Sequence, residues 1–184
     1  MEHLDTAALE AGLPEVRRAP ADDGRLELVV RRPAVGEREV LPEAALDHVV
    51  GLVGDCWEAR GSSRTPDGSA NPEMQITLMS ARAAALVAGA RDRWPVAGDQ
   101  LYVDLDLSGA NLPPGTRLAI GSAVVEVTAA PHTGCQKFVE RFGIDAARFV
   151  NSEVGRELNL RGINARVIVD GTVRPGDSVL KSPA

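Results

Sequence analysis

Residues 117–128 read RLAIGSAVVEVT, and their pattern indicates a β-hairpin. The runs Arg117–Ile120 and Ala123–Val127 are rich in apolar and β-branched residues, which are typical of strands. Gly121 and Ser122 lie between the two runs and suit a tight turn, because glycine tolerates the backbone angles that such a turn needs. This hairpin predicts that the second half of the chain is mostly β.

Residues 101–107 (LYVDLDL) carry the pattern of another strand. Leucine and valine alternate there with Tyr102, Asp104 and Asp106, the period of a half-buried strand. The two aspartates then belong to a solvated outer face rather than to a metal site.

A second hairpin is expected near the end of the chain. Residues 164–169 and 172–173 read as strands, and the Asp-Gly pair at 170–171 is a turn signal between them. The Pro-Gly-Asp sequence at 175–177 turns the chain again before a last strand over residues 178–181.

The first half of the chain mixes short helices with strands. A short helix is expected over residues 43–47, since Pro42 suits a helix start. Ser80 fits the N-cap of a helix over residues 81–88. Residues 58–72 are polar and rich in Gly, Ser and Pro, so we expect a mobile loop there. The remaining expected elements are helices over residues 4–13 and 144–151 and strands over residues 25–32 and 75–79.

These elements predict a mainly β fold with short helices (α+β), arranged as a strongly bent β-barrel. Neither a GxGxxG fingerprint after a strand nor a GxxxxGK[ST] phosphate loop is present, which disfavours the nucleotide-binding α/β folds. No repeat or linker divides the 184 residues. We expect residues 1–74 to pack in the same compact unit as a barrel core over residues 75–184.

Composition and charge narrow the classes of function. Hydrophobic residues make up 44% and aromatic residues 3%, and the net charge is −6. An acidic chain with few aromatics is a poor nucleic-acid binder. The start of the chain lacks the basic and apolar regions of a signal peptide, and no stretch approaches the ~20 apolar residues of a membrane span. We therefore expect a cytoplasmic protein with no nucleic-acid or membrane partner.

The segment around Cys135, residues 131–138 (PHTGCQKF), follows a strand and begins a loop, where site residues are common. Residues 137–174 hold seven basic and five acidic residues, so this region is positive within an acidic chain. Nearby cations and an imidazole favour the thiolate form of a cysteine, which attacks electrophiles or binds metals. Gly134 lets the backbone approach a ligand closely.

Structural roles for these residues stay open. A single cysteine such as Cys135 also serves as a small buried apolar residue. His132 is either the base for the thiol or a hydrogen-bonding partner within its own turn. Cys56 has no basic neighbour before Arg60 and is more typical of a structural cysteine. The two cysteines and three histidines match neither a disulfide framework nor a zinc-site spacing.

Residues 75–181 resemble a MOSC domain, the module named after the C-terminal part of molybdenum cofactor sulfurases. The order and spacing of five short pieces carry the resemblance, which implies a β-barrel-like fold with one functional cysteine in the loop after a strand. Cys135 holds that position. The matching pieces are residues 98–101 (GDQL), 112–121 (LPPGTRLAIG), 124–128 (VVEVT), 131–135 (PHTGC) and 173–179 (VRPGDSV).

The resemblance implies one of two related activities. Family members are proposed to carry persulfide sulfur on the cysteine. In relatives that bind molybdenum cofactor, the thiolate ligates molybdenum and the enzyme reduces N-hydroxylated compounds. Cys135 is then the catalytic residue and the metal ligand, with His132 as a second candidate catalytic residue. The cofactor's phosphate and pterin need cationic and backbone N–H donors. The candidates for that role are Thr133, Gly134, Lys137, Arg141, Arg82 and Arg166.

Partners follow from two departures from the family. Its sulfurases carry a pyridoxal phosphate desulfurase domain and its reductases an additional N-terminal β-domain, and the sequence shows no pyridoxal phosphate site. We expect a stand-alone MOSC-like domain that needs a cysteine desulfurase or an electron-donor protein. Two alternatives stay open: a non-catalytic carrier of the pterin cofactor, and an unrelated hydrolase in which His132 is the base and Cys135 the nucleophile.

Overall fold

The computed structural model describes residues 3–183, and its main feature is a sheet that closes on itself. The strands are β1 (Gly24–Arg31), β2 (Glu39–Leu41), β3 (Ala44–Asp47), β4 (Gly51–Leu52), β5 (Ile76–Ser80), β6 (Leu101–Asp104), β7 (Arg117–Ile120), β8 (Ala123–Val127), β9 (Ile163–Val169), β10 (Gly171–Val173) and β11 (Ser178–Ser182). The helices are α1 (Thr6–Ala11), α2 (Leu13–Val16), α3 (Trp57–Arg60), α4 (Ala81–Ala88), α5 (Gln136–Asn151) and α6 (Glu153–Glu157). Two 3-10 turns cover Pro72–Met74 and Arg91–Ala97.

Seven strands form a barrel in the order β1-β6-β5-β9-β8-β7-β11, and β11 closes it by pairing with β1. Strands β5 and β6 run parallel, and the other neighbours in the barrel run antiparallel. Strand β2 extends β1, while β3, β4 and β10 form a small second sheet. Closure leaves no strand edge within the barrel unpaired. The expected mainly β, barrel-like fold is confirmed.

Alternating burial explains how the barrel is filled. Leu118 and Ile120 of β7 and Ala123, Val125 and Val127 of β8 are buried, while the residues between them are half-buried. These side chains belong to an apolar cluster made mainly of barrel residues, and burying such surface is the main stabilising contribution in folding. The hairpin expected from residues 117–128 is confirmed by its register, in which Ile120 pairs with Ala123.

A second buried cluster packs the helices against the barrel. Ser80 caps α4 as expected, with its hydroxyl accepting a hydrogen bond from the backbone N–H of Ala83 at 3.4 Å. The expected helix over residues 144–151 is the second part of α5, which is interrupted at Gly143 (φ +86°). The cluster includes Leu9, Met79, Tyr102, Phe138 and Phe142.

The helix expected over residues 43–47 is wrong, because these residues form β3. Ala44 and Leu46 are buried while Ala45 is exposed, which is the alternation of a strand. Pairing with β10, more than a hundred residues later, overrides the local signal of Pro42.

The hairpin expected at residues 164–173 is also wrong in its pairing. Strand β9 pairs with β5 and β8 in the barrel, whereas β10 pairs with β3 in the small sheet. Asp170 therefore carries the chain from one sheet to the other. Its carboxylate accepts hydrogen bonds from the backbone N–H and Nδ1 of His48 at 2.7 and 2.8 Å, which ties the two sheets together.

Three boundaries differ from the expected ones. Strand β6 ends at Asp104, and the carboxylate of Asp106 accepts a hydrogen bond from the backbone N–H of Ser108, so that residue turns the chain. The helix expected over residues 4–13 is divided at Gly12 into α1 and α2. Residues 58–72 hold most of α3 and a series of backbone-bonded turns, and the mobility of this loop stays a prediction. None of the helices within residues 3–183 has the length and hydropathy needed to cross a bilayer.

Candidate functional site

Cys135 lies in a cleft of about 450 Å³ that draws residues from both halves of the chain. Its side chain is exposed, and the residue is the N-cap of α5. Pro131, Thr133 and Met74 line the same cleft. So do seven basic residues and one acidic residue: Arg32, Arg38, Arg60, Arg64, Lys137, Arg141, Arg161 and Glu140.

The loop that presents Cys135 is held in place by α5. The backbone N–H of Gly134 donates to Oδ1 of Asn151, and Nδ2 of Asn151 donates to the carbonyl of Gly134, both at 2.9 Å. A Cβ atom on Gly134 would lie 2.9 Å from Cγ2 of Val150. Gly134 is therefore required for packing against α5, and its backbone N–H and carbonyl are both hydrogen-bonded to Asn151. The expected close approach of a ligand to Gly134 stays a prediction.

His132 lies at the buried side of the cleft, with its side chain 14% exposed. Its Nδ1 is 3.5 Å from Oδ1 of Asp99, and neither atom has a hydrogen-bond partner within residues 3–183. Burial, followed by the positive charge of Arg161, lowers the pKa of His132 from 6.5 to about 3. The imidazole is therefore neutral at pH 7 and a weak proton acceptor.

A pairing of His132 with the thiol, one of the two roles that the sequence leaves open for His132, is not seen. No hydrogen bond within the described residues joins His132 to Cys135, although both residues line the cleft. This geometry gives no support to the alternative of a hydrolase, which needs its base in contact with the nucleophile.

Two buried ion pairs form the inner wall of the cleft. Arg161 donates to Oδ2 of Asp99 at 2.6 Å and to the carbonyl of Ala97 at 3.1 Å, and its Nε has no partner within residues 3–183. Arg32 binds both carboxylate oxygens of Asp55 at 2.8 Å. A buried arginine is tolerated when a carboxylate pairs with it, so these two charges are compensated.

The other five basic residues of the cleft form no salt bridge within residues 3–183. These are Arg38, Arg60, Arg64, Lys137 and Arg141. The single carboxylate among the lining residues, Glu140, leaves the cleft strongly positive on a chain of net charge −6. Such a concentration of cations around an exposed thiol favours the binding of an anion beside it.

The structure brings some of the expected site residues together and separates others. Thr133, Lys137 and Arg141 line the cleft with Cys135 and His132. Arg82 lies in a separate groove of about 380 Å³ beside α4, where it pairs with Asp104 and Glu15 at 2.6 and 2.7 Å. Arg166 pairs with Glu126 at 2.7 Å and does not line the cleft. The proposed cofactor role of these two arginines receives no support from their positions.

Sequence reasoning missed the part of the cleft contributed by the first 64 residues. Arg32, Arg38, Arg60 and Arg64 reach the cleft from the segments around β2 and α3. Cys56 lines it as well, half-buried, and its backbone N–H donates to the carbonyl of Arg32 at 2.8 Å. The sequence offers few local signals that these residues belong to a site. They are the adjacent arginines at positions 31 and 32 and the Asp-Cys pair at positions 55 and 56.

Among the described residues, one further group of potential metal ligands lies at the surface. The ligand atoms of Asp47, His48 and Asp170 are within 4.8 Å of one another. Hydrogen bonds already join Asp170 to His48, and Oδ1 of Asp47 accepts the backbone N–H of Val49. These bonds account for the cluster as the link between β3 and the β9–β10 turn.

The fold and the site together define a class of protein: a closed seven-stranded barrel in which the loop after β8 presents an exposed cysteine to a cationic cleft. The family model for the MOSC domain matches residues 66–180. The chain therefore belongs to the MOSC domain family. All four missed arginines from the first 64 residues precede the matched region.

Solved structures show the same fold. The YuaD protein from Bacillus subtilis is similar with a TM-score of 0.66 and 17% identity, over 88% of this chain and 97% of that one. YiiM from Escherichia coli has a TM-score of 0.56 and 19% identity, over 87% and 70% of the two chains. YiiM from Geobacillus stearothermophilus has a TM-score of 0.54 and 13% identity, over 89% and 75%. No curated protein matches the chain significantly.

Proposed function

We propose that the cleft binds molybdenum cofactor, with the thiolate of Cys135 as a ligand of the metal. The observation that carries this proposal is the exposed thiol of Cys135 in a cleft where five basic side chains lack a carboxylate partner within residues 3–183. Membership of the MOSC family supports it, because MOSC domains are associated with this cofactor.

The donor set of the cleft fits the cofactor's parts. A thiolate is a soft ligand, which suits molybdenum. Guanidinium and ammonium groups bind the oxygens of a phosphate, and Lys137, Arg141 and Arg38 offer such groups beside Cys135. The unpartnered Nε of Arg161 is a further buried donor at the inner wall. A polar ligand in the cleft would satisfy groups that the protein leaves unpaired.

The residues of this chain then have distinct tasks. Cys135 holds the metal, the unpaired cations hold the anionic end of the cofactor, and the Gly134–Asn151 hydrogen bonds fix the loop that presents the thiol. When bound, the cofactor supplies a two-electron centre able to reduce N-hydroxylated compounds. An electron-donor protein is the partner that this activity requires.

A second candidate function is sulfur carriage as a persulfide on Cys135. The observation that favours it is again the exposure of the thiol, which a donor protein can reach. The Cys135 thiolate attacks the outer sulfur of a persulfide on a cysteine desulfurase, so that the sulfane sulfur passes to Cys135 and the donor cysteine leaves as its thiolate.

Loading of Cys135→Ser tests both functions, with Cys56→Ser as the matched control. The protein is produced in a host that makes molybdenum cofactor, and bound molybdenum is measured. In parallel, each purified variant is incubated with a desulfurase and cysteine, and cyanide-labile sulfur is measured. We expect Cys135→Ser to lose loading and Cys56→Ser to keep it, because a hydroxyl is neither ionised at pH 7 nor soft.

The pattern of loading separates the functions. Molybdenum without labile sulfur supports the cofactor function, and labile sulfur without molybdenum supports the carrier. If Cys135→Ser loads both as well as the parent, both functions are wrong. A loaded protein that does not turn over N-hydroxylated compounds with a competent electron donor is a non-catalytic carrier of the cofactor.

A further inference from the structure

Two arginine side chains meet over Gly98, at the edge of the cleft. A Cβ atom on Gly98 would lie 3.1 Å from Nη2 of Arg38 and 3.4 Å from Nη1 of Arg141. Both nitrogens are therefore close to one point, and the two cations are neighbours. Gly98 has φ +97°, a backbone conformation in which glycine is favoured, and its missing side chain leaves this space to the guanidinium groups.

Neither arginine is neutralised by the protein within residues 3–183. Arg38 donates only to backbone carbonyls, from Nε to Pro95 at 3.2 Å and from Nη1 to Glu37. The side chain of Arg141 forms neither a salt bridge nor a hydrogen bond in the described part of the chain. Outside the cleft, by contrast, arginines such as Arg31, Arg82 and Arg117 are paired with carboxylates.

Placing these like charges side by side costs free energy. Burial, and then the charges of Arg141 and Arg32, lower the pKa of Arg38. The two guanidinium groups are neighbours and repel each other, and the half-buried position of Arg38 weakens the screening of this repulsion by water. An anion that contacts both guanidinium groups would turn this repulsion into attraction.

We propose that Arg38 and Arg141 form a two-arginine clamp for a phosphate group. A phosphate has the double charge and the oxygen geometry that two guanidinium groups recognise. The clamp deepens the proposed function, since it assigns one end of the cleft to a phosphate and the Cys135 end to the reactive group. The phosphate belongs either to the cofactor or to a phosphorylated substrate. Arg38 lies before the region matched by the family model, so this chain builds half of the clamp outside that region.

Titration calorimetry with inorganic phosphate and pyrophosphate tests the clamp on the full chain, produced in a host that makes no molybdenum cofactor. We expect one binding site whose affinity falls as salt is raised. Arg38→Gln and Arg141→Gln should each bind about tenfold more weakly or worse. Arg148→Gln is the matched control, because Arg148 is exposed on the same helix and does not line the cleft.

Arg141→Gln decides the outcome even if Arg38→Gln is unstable, because the Arg141 side chain forms no hydrogen bond or salt bridge within residues 3–183 that the substitution would remove. Thermal unfolding checks that each variant is folded. The clamp is overturned if the parent binds neither anion, or if Arg141→Gln binds as tightly as Arg148→Gln.

The source of the phosphate is found by repeating the titration on protein loaded with molybdenum. Loss of phosphate binding after loading assigns the clamp to the cofactor's phosphate, and retained binding assigns it to a substrate.

The Cys135→Ser variant distinguishes a failure of the clamp from a failure of the function proposed above. If this variant and the parent bind phosphate but the parent loads neither sulfur nor molybdenum, only the proposed function fails. If the parent loads through Cys135 but binds neither anion, only the clamp fails.

Discussion

At the scale of single residues, the cleft separates the chemistry of its thiol from the packing that presents it. Cys135 is exposed, whereas the residue before it is packed against α5. A substitution at Cys135 should therefore alter the chemistry of the cleft with little effect on the stability of the fold. A substitution at Gly134 should lower the stability of the fold before it affects the chemistry.

Gly134→Ala should destabilise the protein by about 1–3 kcal/mol, because its Cβ would lie 2.9 Å from Val150 and 3.1 Å from Asn151. Gly109→Ala is the control, since a Cβ there meets nothing within 4 Å. Urea denaturation measures both. Equal stabilities of the two variants would show that the loop adapts freely and that the hydrogen bonds between Gly134 and Asn151 do not fix it.

Cys135→Ser should change the free energy of unfolding by no more than about 1 kcal/mol, since an exposed thiol contributes little packing. Cys56 is half-buried, so Cys56→Ser should cost at least as much. The same denaturation experiment compares them. A larger cost for Cys135→Ser would mean that the thiol is a packing group, the structural role that the sequence left open.

The residues of the site were predictable only where they are close to Cys135 along the chain. His132, Thr133, Lys137 and Arg141 follow from one segment read for its cysteine and its charges. The arginines at positions 32, 38, 60 and 64 were not predictable, because only the closed barrel brings the first 64 residues to this loop. The charge of Arg82 makes it a candidate from the sequence, but the structure pairs it with Asp104 and Glu15 outside the cleft.

At the scale of elements, local pattern succeeded where a strand and its partner are adjacent in sequence. The β7–β8 hairpin is fixed by a two-residue turn, so its pairing could be read directly. Strand β3 could not, because one of its two partners, β10, lies more than a hundred residues away, its pairing with the adjacent β4 is only two residues long, and its own residues carry helix signals. The same long-range pairing with β3 explains why β10 does not pair with β9, although the two strands are adjacent in sequence.

The turn of the β7–β8 hairpin gives a prediction at this scale. A Cβ at Gly121 would lie 2.3 Å from the carbonyl oxygen of Thr172, and the residue has φ +56°. Gly121→Ala should therefore cost about 2 kcal/mol more than Gly115→Ala, because Gly115 also has positive φ but faces open space. Thermal and urea unfolding compare the two. Equal losses of stability would mean that β10 shifts away from the new Cβ at no cost in free energy, and that backbone strain alone accounts for the effect of both substitutions.

At the scale of the whole molecule, charge is unevenly distributed. The acidic chain concentrates unpaired cations in one cleft and pairs many arginines elsewhere with carboxylates. Composition alone gave the net charge, but it concealed the cationic cleft. The pH dependence of stability combines contributions from both kinds of region, and two histidines contribute with opposite signs.

His132 should make the folded protein less stable as the pH falls from 7 to 5. Its pKa is lowered by burial to about 3 in the folded state and is near 6.5 when unfolded, so between these values the unfolded chain binds more protons. The loss from His132 alone is about 2 kcal/mol over that range. Urea denaturation at pH 7 and pH 5 measures it, and His132→Gln should flatten the dependence.

His48 acts in the opposite direction, because its hydrogen bond to Asp170 raises its pKa. Its contribution is present below the unfolded pKa and is lost as the pH rises through the folded one. His48→Gln should therefore steepen the loss of stability on acidification, whereas His132→Gln reduces it. The same two-pH comparison applies to both variants. If His132→Gln loses as much stability as the parent between pH 7 and 5, His132 is not held neutral by the buried wall of the cleft, and the polar network with Asp99 and Arg161 must be open to water.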